Sequence, residues 1–401
     1  MEVSPAETAL AATIADAART GEALAVWGNA SKHRMLRPVG IARSVSSRDL
    51  TGITLYAPKE LVISARAGTP LAEIEQALAR SGQHLIAEPP DFSLLMGTEG
   101  PQTLGGVVAT NLSGPRRVAW GAMRDHVLGV RAINGAGEIV HSGGRVLKNV
   151  TGLDLCKLLT GSHGTLGLLT EITLKVLPAP ERTGSLVLRG QDAAQAVTAM
   201  SAALGSPYGV SAAAYLPAAA ARAIGQDTPM TLIRIEDFSA SVAYRLDRLR
   251  AELGRKLGGA DLLDDAMSRW VWRMIANAAP LDAAHEEAVW RVSVRPSAGP
   301  AVMAAVSAAY GAASGAKMFM DWGGGLVWIA GPASVAAHRA VADAARAAAG
   351  NWMVFRAPEA LRLAVDVIPP EPAPLARIGA RVKAAMDPRG ILNPGRMRAG
   401  A

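Results

Sequence analysis

Glycine placement constrains this chain most. Between Gly97 and Gly167 the glycines crowd around three short apolar runs: Leu104-Gly105-Gly106-Val107-Val108-Ala109, Val127-Leu128-Gly129-Val130-Arg131-Ala132-Ile133 and Gly164-Thr165-Leu166-Gly167-Leu168-Leu169. Such runs, punctuated by Gly and Asn, read as strands and tight turns where backbone closely approaches something else. Residues 130–133, the turn Asn134-Gly135-Ala136-Gly137 and residues 138–141 read as a β-hairpin. The first half is therefore expected to be α+β, with ligand-lined loops.

The pattern changes at Leu177-Pro178-Ala179-Pro180-Glu181, just after the strand-like Ile172-Thr173-Leu174-Lys175-Val176. A domain boundary is expected there, giving a first domain over 1–180 and a second over 181–370. In the second, strand-like stretches at 185–189, 210–216, 231–236, 289–294, 317–321 and 326–330 alternate with Ala-rich helical stretches at 193–204, 239–253 and 302–311. That alternation suits an α/β or α+β sandwich. After the Pro-rich residues 369–374, a last segment (371–401) carries a short helix and Asp387-Pro388-Arg389-Gly390-Ile391-Leu392-Asn393-Pro394-Gly395, expected to return to the first domain.

Composition removes several function classes. The chain has 401 residues and a net charge of +7. Its basicity is spread along the sequence and aromatics make up only 4%, which argues against nucleic acid. A single cysteine, Cys156, excludes an internal disulfide and a four-thiolate iron–sulfur cluster. Residues 1–15 read as an amphipathic helix, not a signal peptide. The expected location is therefore cytoplasmic, with a peripheral contact at the cytoplasmic face of the inner membrane, or with an acidic partner, left open by the charge. The uncharged stretch 193–221 is broken by Gly205-Ser206-Pro207 and Pro217 and reads as helix, turn and strand. No Lys precedes Ser or Thr as in a Walker A loop, and no Gly-x-Gly-x-x-Gly follows a strand. Val289 stands where a zincin starting at His285-Glu286 needs its second His, and no metal site is expected.

In order along the chain stand Pro89-Pro90-Asp91, the run from Thr103 through Asn111-Leu112-Ser113-Gly114-Pro115-Arg116-Arg117, Trp120-Gly121-Ala122-Met123-Arg124-Asp125-His126-Val127-Leu128-Gly129, Gly143-Gly144-Arg145-Val146-Leu147-Lys148-Asn149-Val150-Thr151-Gly152-Leu153-Asp154 and Gly161-Ser162-His163-Gly164-Thr165-Leu166-Gly167. This order resembles the PCMH-type FAD-binding domain of the vanillyl-alcohol oxidase superfamily, and within it the FAD-binding E subunits of bacterial glycolate oxidases. The resemblance covers about the first 180 residues and the Asp387-to-Gly395 tail. It implies an α+β fold, with a FAD domain of two α+β subdomains and an α+β cap built on an antiparallel sheet.

The resemblance also assigns FAD contacts. FAD carries a diphosphate and a wide planar ring, and binding both needs convergent backbone N–H groups and walls free of bulky side chains. Leu24-Ala25-Val26-Trp27 runs into Gly28-Asn29-Ala30-Ser31-Lys32, which would wrap the diphosphate, Lys32 adding charge. The loop has Asn29 and Ala30 where relatives commonly have glycines. A second loop with Thr103, Gly105, Gly106, Ala109, Thr110, Asn111, Ser113 and Gly114 would line the adenosine and diphosphate side, and Pro90 is another expected FAD contact. Gly164, Leu166 and Gly167 would pass beside the flavin, and Trp27 and Ile172 are further expected FAD contacts. Some relatives attach FAD through a His in the first loop; Ser31 occupies that position, so FAD is expected to be non-covalent. Without the resemblance, the first loop also reads as a plain turn into a helix and Gly105-Gly106 as a bulge.

Catalysis is less well marked. Arg291 and Arg295 alternate with apolar residues in Trp290-Arg291-Val292-Ser293-Val294-Arg295-Pro296, so both would face one side of a strand and clamp a carboxylate; a solvated edge-strand face is the other reading. Where catalytic relatives carry a His-Ala-Gly-Asp-Gly-Asn-type metal-binding stretch, this chain has Met320-Asp321-Trp322-Gly323-Gly324-Gly325. His126 and His163 fall in the flavin-domain motifs, but neither is assigned as a base. The resemblance implies a glycolate oxidase complex with an FAD-containing catalytic D subunit and an iron–sulfur F subunit, acting on a small 2-hydroxy acid. A stand-alone flavin dehydrogenase and a structural subunit without flavin remain alternatives.

Overall fold

The computed structural model describes residues 3–41, 43–144, 153–257, 259–311 and 316–400. Most of the quoted motif over 145–152 therefore lies outside the described residues. The first element is a helix, Pro5–Thr20, whose start is fixed by Ser4 Oγ accepting from the Glu7 amide and whose end is closed by Gly21 in the left-handed region. Strand β1 (Ala25–Trp27) pairs in parallel with β2 (Ser44–Ser46). Next, β3 (Ile53–Ala57), β4 (Val62–Arg66), β5 (Gln83–Leu85), β6 (Val127–Ile133), β7 (Ile139–Gly143) and β8 (Leu168–Pro178) form a sheet ordered β3-β4-β8-β6-β7, with β5 alongside β8. The hairpin read from the sequence is β6–β7, closed at Ile133 opposite Ile139.

Leu104–Ala109 is a helix, contrary to the strand-and-turn reading. Thr103 caps it, its Oγ1 accepting from the Gly106 amide at 3.2 Å. Leu104, Val107 and Val108 are buried on one face, a helical spacing that six residues of mostly apolar sequence do not distinguish from a strand.

The second sheet begins at β9 (Arg182–Arg189) and includes β10 (Val210–Leu216), β11 (Met230–Asp237), β12 (Asp261–Leu263), β13 (Ala288–Ser293), β14 (Lys317–Asp321), β15 (Leu326–Gly331) and β16 (Asn351–Arg356). Its order is β12-β9-β11-β10-β14-β15-β13-β16, with antiparallel neighbours throughout. Strand alternation gives it two different faces. One buries Leu186, Leu188, Ile233 and Ile235 with Val242 and Leu246 of the helix Ser239–Leu257. The other aligns Arg234 opposite Ser185, and Phe319, Trp328 and Arg291 across three adjacent strands. Strands β12 and β16 and the helices Asp265–Ala276 and Val335–Ala347 carried no clear sequence signal.

The polar face of this sheet meets the amino-terminal part through buried ion pairs. Glu88 grips Arg234 at 2.7 and 2.9 Å, and Arg116 grips Glu236 at 3.0 and 2.8 Å. Arg116 Nη1 also sits 2.8 Å from His84 Nδ1. Burial, reinforced by Arg116, holds the His84 imidazole down at about 4. After the helix Ala373–Met386 the chain returns to β1, where Leu392 bridges Leu24.

Candidate cofactor site and the adjoining cleft

Strand β1 delivers the chain into the loop from Gly28 to Lys32. This loop lines a cleft with Trp27, Thr103, Gly105, Gly106, Ala109, Thr110, Gly164 and Gly167. The amides of Asn29, Ala30, Ser31 and Lys32 donate to no protein acceptor among the described residues. Ala30 has φ 53, and the turn it makes groups successive N–H donors into an anion-binding nest.

The loop's carbonyls are occupied from the other side. Arg396 donates to the carbonyls of Lys32 at 3.1 Å, His33 at 3.1 Å and Arg37 at 3.0 Å, and Arg362 donates to those of His33 and Leu36. Within the loop, the Gly28 carbonyl accepts from Ser46 Oγ at 2.8 Å and the Ala30 carbonyl from the His33 amide at 3.1 Å, so the loop is braced through its oxygens while its amides stay unpaired. Burial, with Arg362 adding repulsion, lowers the Arg396 guanidinium to about 9.

Lys32 is buried, and its ammonium has only neutral partners: Ser31 Oγ at 3.3 Å and Gln102 Oε1 at 3.2 Å. Burial lowers it from 10.5 to about 8, the more distant Asp91 opposing this. A buried amine without a carboxylate, beside unpaired amides, is a receptor for an anion. Two glycines let the walls of this cleft pack closely around it. A Cβ on Gly28 would lie 2.6 Å from Thr103 Oγ1, and one on Gly164, where φ is 72, would lie 2.8 Å from Asn393 Nδ2. These features fit a diphosphate group with a flat extension.

Asn393 joins the walls of this cleft. Its Oδ1 accepts from the Val26 amide at 2.8 Å, and its Nδ2 donates to the carbonyls of Val26 at 3.2 Å and His163 at 2.9 Å. Asn393, Arg396 and Arg362 were not assigned to the site from the sequence. The resemblance of the 387–395 tail was the available signal for Asn393.

Thr110 and His163 also line a second cleft of about 490 Å³, together with Asn111, Arg117, Arg291 and Trp322. Trp322 stands in the left-handed region at φ 53, and its indole N–H donates to the Gly114 carbonyl at 3.1 Å. Arg117 lies 4.5 Å and Arg291 5.4 Å from its ring. Arg291 also packs on Trp328 and Phe355, and its buried Nε has no hydrogen-bond partner. Burial, then repulsion from Arg117, lowers the Arg291 guanidinium to about 10, with Asp321 opposing. Two guanidiniums on one indole make a seat for a small anion.

Arg295 does not join Arg291. Strand β13 ends at Ser293, and Arg295 is exposed at the start of a 3₁₀ turn, so the expected two-arginine clamp on one strand does not form. Pro90 lines a different cavity, with Glu88, Arg234 and Trp272. Ser113 is buried, accepting from the Met123 amide at 2.9 Å, and the Gly114 amide bonds the Ala87 carbonyl. Ile172 is wholly buried in β8, and Leu166 packs against the core behind the cleft. These side chains shape the walls from behind. His126 is buried with an unpartnered Nε2 and lines neither cleft.

Comparison with known proteins agrees with this geometry. A family model described as FAD binding domain matches residues 4–143. The fold is shared with 4-ethylphenol oxidase from Gulosibacter chungangensis, at TM-score 0.69 and 12% identity over 98% of this chain and 88% of that one. Alkyldihydroxyacetonephosphate synthase aligns with TM-score 0.69 and 16% identity over 96% of this chain and 74% of that one. The fold is the vanillyl-alcohol oxidase-like architecture, and the family model with the relatives that follow defines an FAD-dependent oxidoreductase. A D-lactate dehydrogenase from Anaerostipes hadrus is 36% identical over 150 residues, 37% of this chain and 30% of that protein. Nearly the whole chain, 94%, aligns with 93% of glycolate oxidase subunit GlcE from Escherichia coli (strain K12), with 36% identity over 377 residues. The chain belongs to that family, and its cofactor is FAD.

Proposed function

We propose that this chain is the FAD-binding subunit of a glycolate oxidase complex and holds FAD non-covalently across the two clefts. The observation that carries this reading is the meeting of an anion nest and a roomier cation-lined cleft at Thr110 and His163. The Gly28–Lys32 amides and Lys32 hold the diphosphate, with Thr103, Gly105 and Gly106 on the facing wall. Ala109, Thr110, Gly164 and Gly167 flank the passage to the second cleft. Bound FAD supplies a two-electron acceptor that can be emptied one electron at a time. Non-covalent binding is supported by Ser31 and by His33, whose Nδ1 is engaged with the Ala30 carbonyl at 2.8 Å.

Oxidising glycolate to glyoxylate removes two electrons and two protons, and a proton acceptor is poorly supplied here. Burial, with Arg396 adding to it, keeps the His163 imidazole neutral by lowering it to about 3, which leaves it a weak base. Among the described residues no three His, Cys, Asp or Glu side chains gather as metal ligands. The substrate step is therefore assigned chiefly to an FAD-bearing D-type partner. One-electron carriage falls to an iron–sulfur F-type partner, because Cys156 is the sole cysteine. No helix among the described residues is long and apolar enough to cross a membrane. The complex's place, in the cytoplasm or against the inner membrane, follows its partners.

A second reading, a self-sufficient hydroxy-acid dehydrogenase, draws support from the Arg117–Trp322–Arg291 seat, which suits a carboxylate. The cofactor assignment is tested by purifying the chain and precipitating it with acid. A yellow protein that releases stoichiometric FAD into the supernatant supports it. A colourless folded protein means a structural subunit, and flavin retained in the pellet refutes non-covalent attachment.

A further inference from the structure

The helix Ala373–Met386 has no buried residue. Leu375 and Ile378 are 56% and 58% exposed, and with Val382 they follow the i, i+3, i+7 spacing of one helical face. A helix whose apolar stripe is largely uncovered gains little from isolated helix formation. This one is instead held at its last turn, where Lys383 Nζ reaches the carbonyls of Thr165 at 2.7 Å and Leu392 at 3.0 Å and the Asp387 carboxylate at 2.7 Å. The helix contains Arg377, Arg381 and Lys383 and no acidic residue. Its first turn is part of the site already described, since Pro372 and Leu375 line the second cleft with Arg291 and Trp322.

We propose that this helix is the docking surface for a protein partner that presents an acidic rim around an apolar pocket and carries the electron acceptor. The assignment rests on the function proposed above, read as an electron relay between the D-type and F-type partners. Charge decides the occupant: a second copy of the chain would set basic face against basic face, whereas carboxylates complement Arg377 and Arg381. Shape decides between a protein and a lipid surface. The stripe is only three aliphatic side chains long, lacks the aromatics that anchor interfacial helices, and runs into the mouth of a cleft. A protein side chain can follow it inward, and a flat bilayer cannot. The ordered, pre-formed helix lowers the entropy cost of docking.

The test uses the full FAD-loaded chain with separately purified D-type and F-type subunits, measured by titration calorimetry at low and high salt. Ile378→Glu and the double variant Arg377→Glu/Arg381→Glu are each expected to weaken binding to the acceptor-bearing F-type subunit about tenfold or more, and salt to weaken the wild type, whereas weakening confined to the D-type subunit overturns the proposed occupant. FAD absorbance should be unchanged in both variants, and Val335→Glu, on another exposed apolar position, should bind as wild type. Wild-type affinity in both variants overturns the surface while leaving the relay reading standing. A wild-type chain that binds neither subunit overturns both. Vesicles of phosphatidylglycerol are the second probe: vesicle binding lost in Ile378→Glu, with subunit binding retained, assigns the helix to lipid and overturns the proposal.

Discussion

Replacing Lys32 by Met should move stability and cofactor affinity in opposite directions. Burial brings the Lys32 ammonium from 10.5 to about 8. A difference of that size corresponds to about 3 kcal/mol disfavouring the charged amine in the folded apoprotein at pH 7. Because the folded value lies below the unfolded one, the folded apoprotein binds fewer protons between about pH 8 and 10.5, and its stability rises with pH across that window. Lys32→Met removes this burden, so the apoprotein should resist urea better at pH 7, by up to about 3 kcal/mol, and lose the alkaline rise. With a diphosphate bound, the same charge is useful. A unit charge about 4 Å from a phosphate oxygen interacts by about 4 kcal/mol at an effective dielectric constant near 20. Losing half or more of that weakens FAD by roughly 30-fold or more at 1.4 kcal/mol per decade. Wild-type affinity should also fall above about pH 8, where binding FAD requires taking up a proton. Fluorescence titration of apoprotein with FAD from pH 6.5 to 9.5 reads both effects. An unchanged FAD dissociation constant in Lys32→Met, or a wild-type constant that is flat across that range, refutes the role given to Lys32.

Three other perturbations test other parts of the account. Glu88→Gln leaves the buried Arg234 with Glu236 alone and should cost about 3 kcal/mol. Burial alone would raise the Glu88 carboxyl, but Arg234 and Arg116 outweigh it and hold it below 4.5, so its stabilisation is present above that pH and lost on acidification. The variant's thermal midpoint should drop at pH 7 and depend less on acid, and a midpoint within about 1 °C of wild type contradicts this. Asn393→Ala removes bonds to Val26 and His163 across the first cleft and should cost about 2–4 kcal/mol while loosening FAD; retained FAD affinity would show that the tail does not shape the cleft. Arg291→Met should leave apoprotein stability within about 1 kcal/mol, because the guanidinium is buried without an ionic partner, yet abolish spectral perturbation by glycolate; a retained perturbation places the anion elsewhere.

How much of this was legible in the sequence depended on distance along the chain. The loops around Gly28, Gly105 and Gly164, which line one cleft, were marked in the sequence by glycines at points of close approach. The β6–β7 hairpin was readable from its local turn, and six of the eight strands of the second sheet from their spacing between Ala-rich helices. The helix Leu104–Ala109 was not, since its capping by Thr103 shows only in three dimensions. Arg396 reaches the carbonyl of Lys32 across 364 positions, and Arg234 reaches Glu88 across 146, and no local pattern encodes either. Arg291 was found by its alternation with apolar neighbours. The same rule failed two turns of the pleat later because β13 stops at Ser293, where Pro296 begins a 3₁₀ turn.

The direct measurement is the visible spectrum of the purified chain mixed anaerobically with glycolate, then with the D-type and F-type subunits added. Bound, oxidised flavin is expected, its absorbance persisting with glycolate alone and bleaching once the partners are present. Bleaching by glycolate in the isolated chain would contradict this and establish a self-sufficient dehydrogenase.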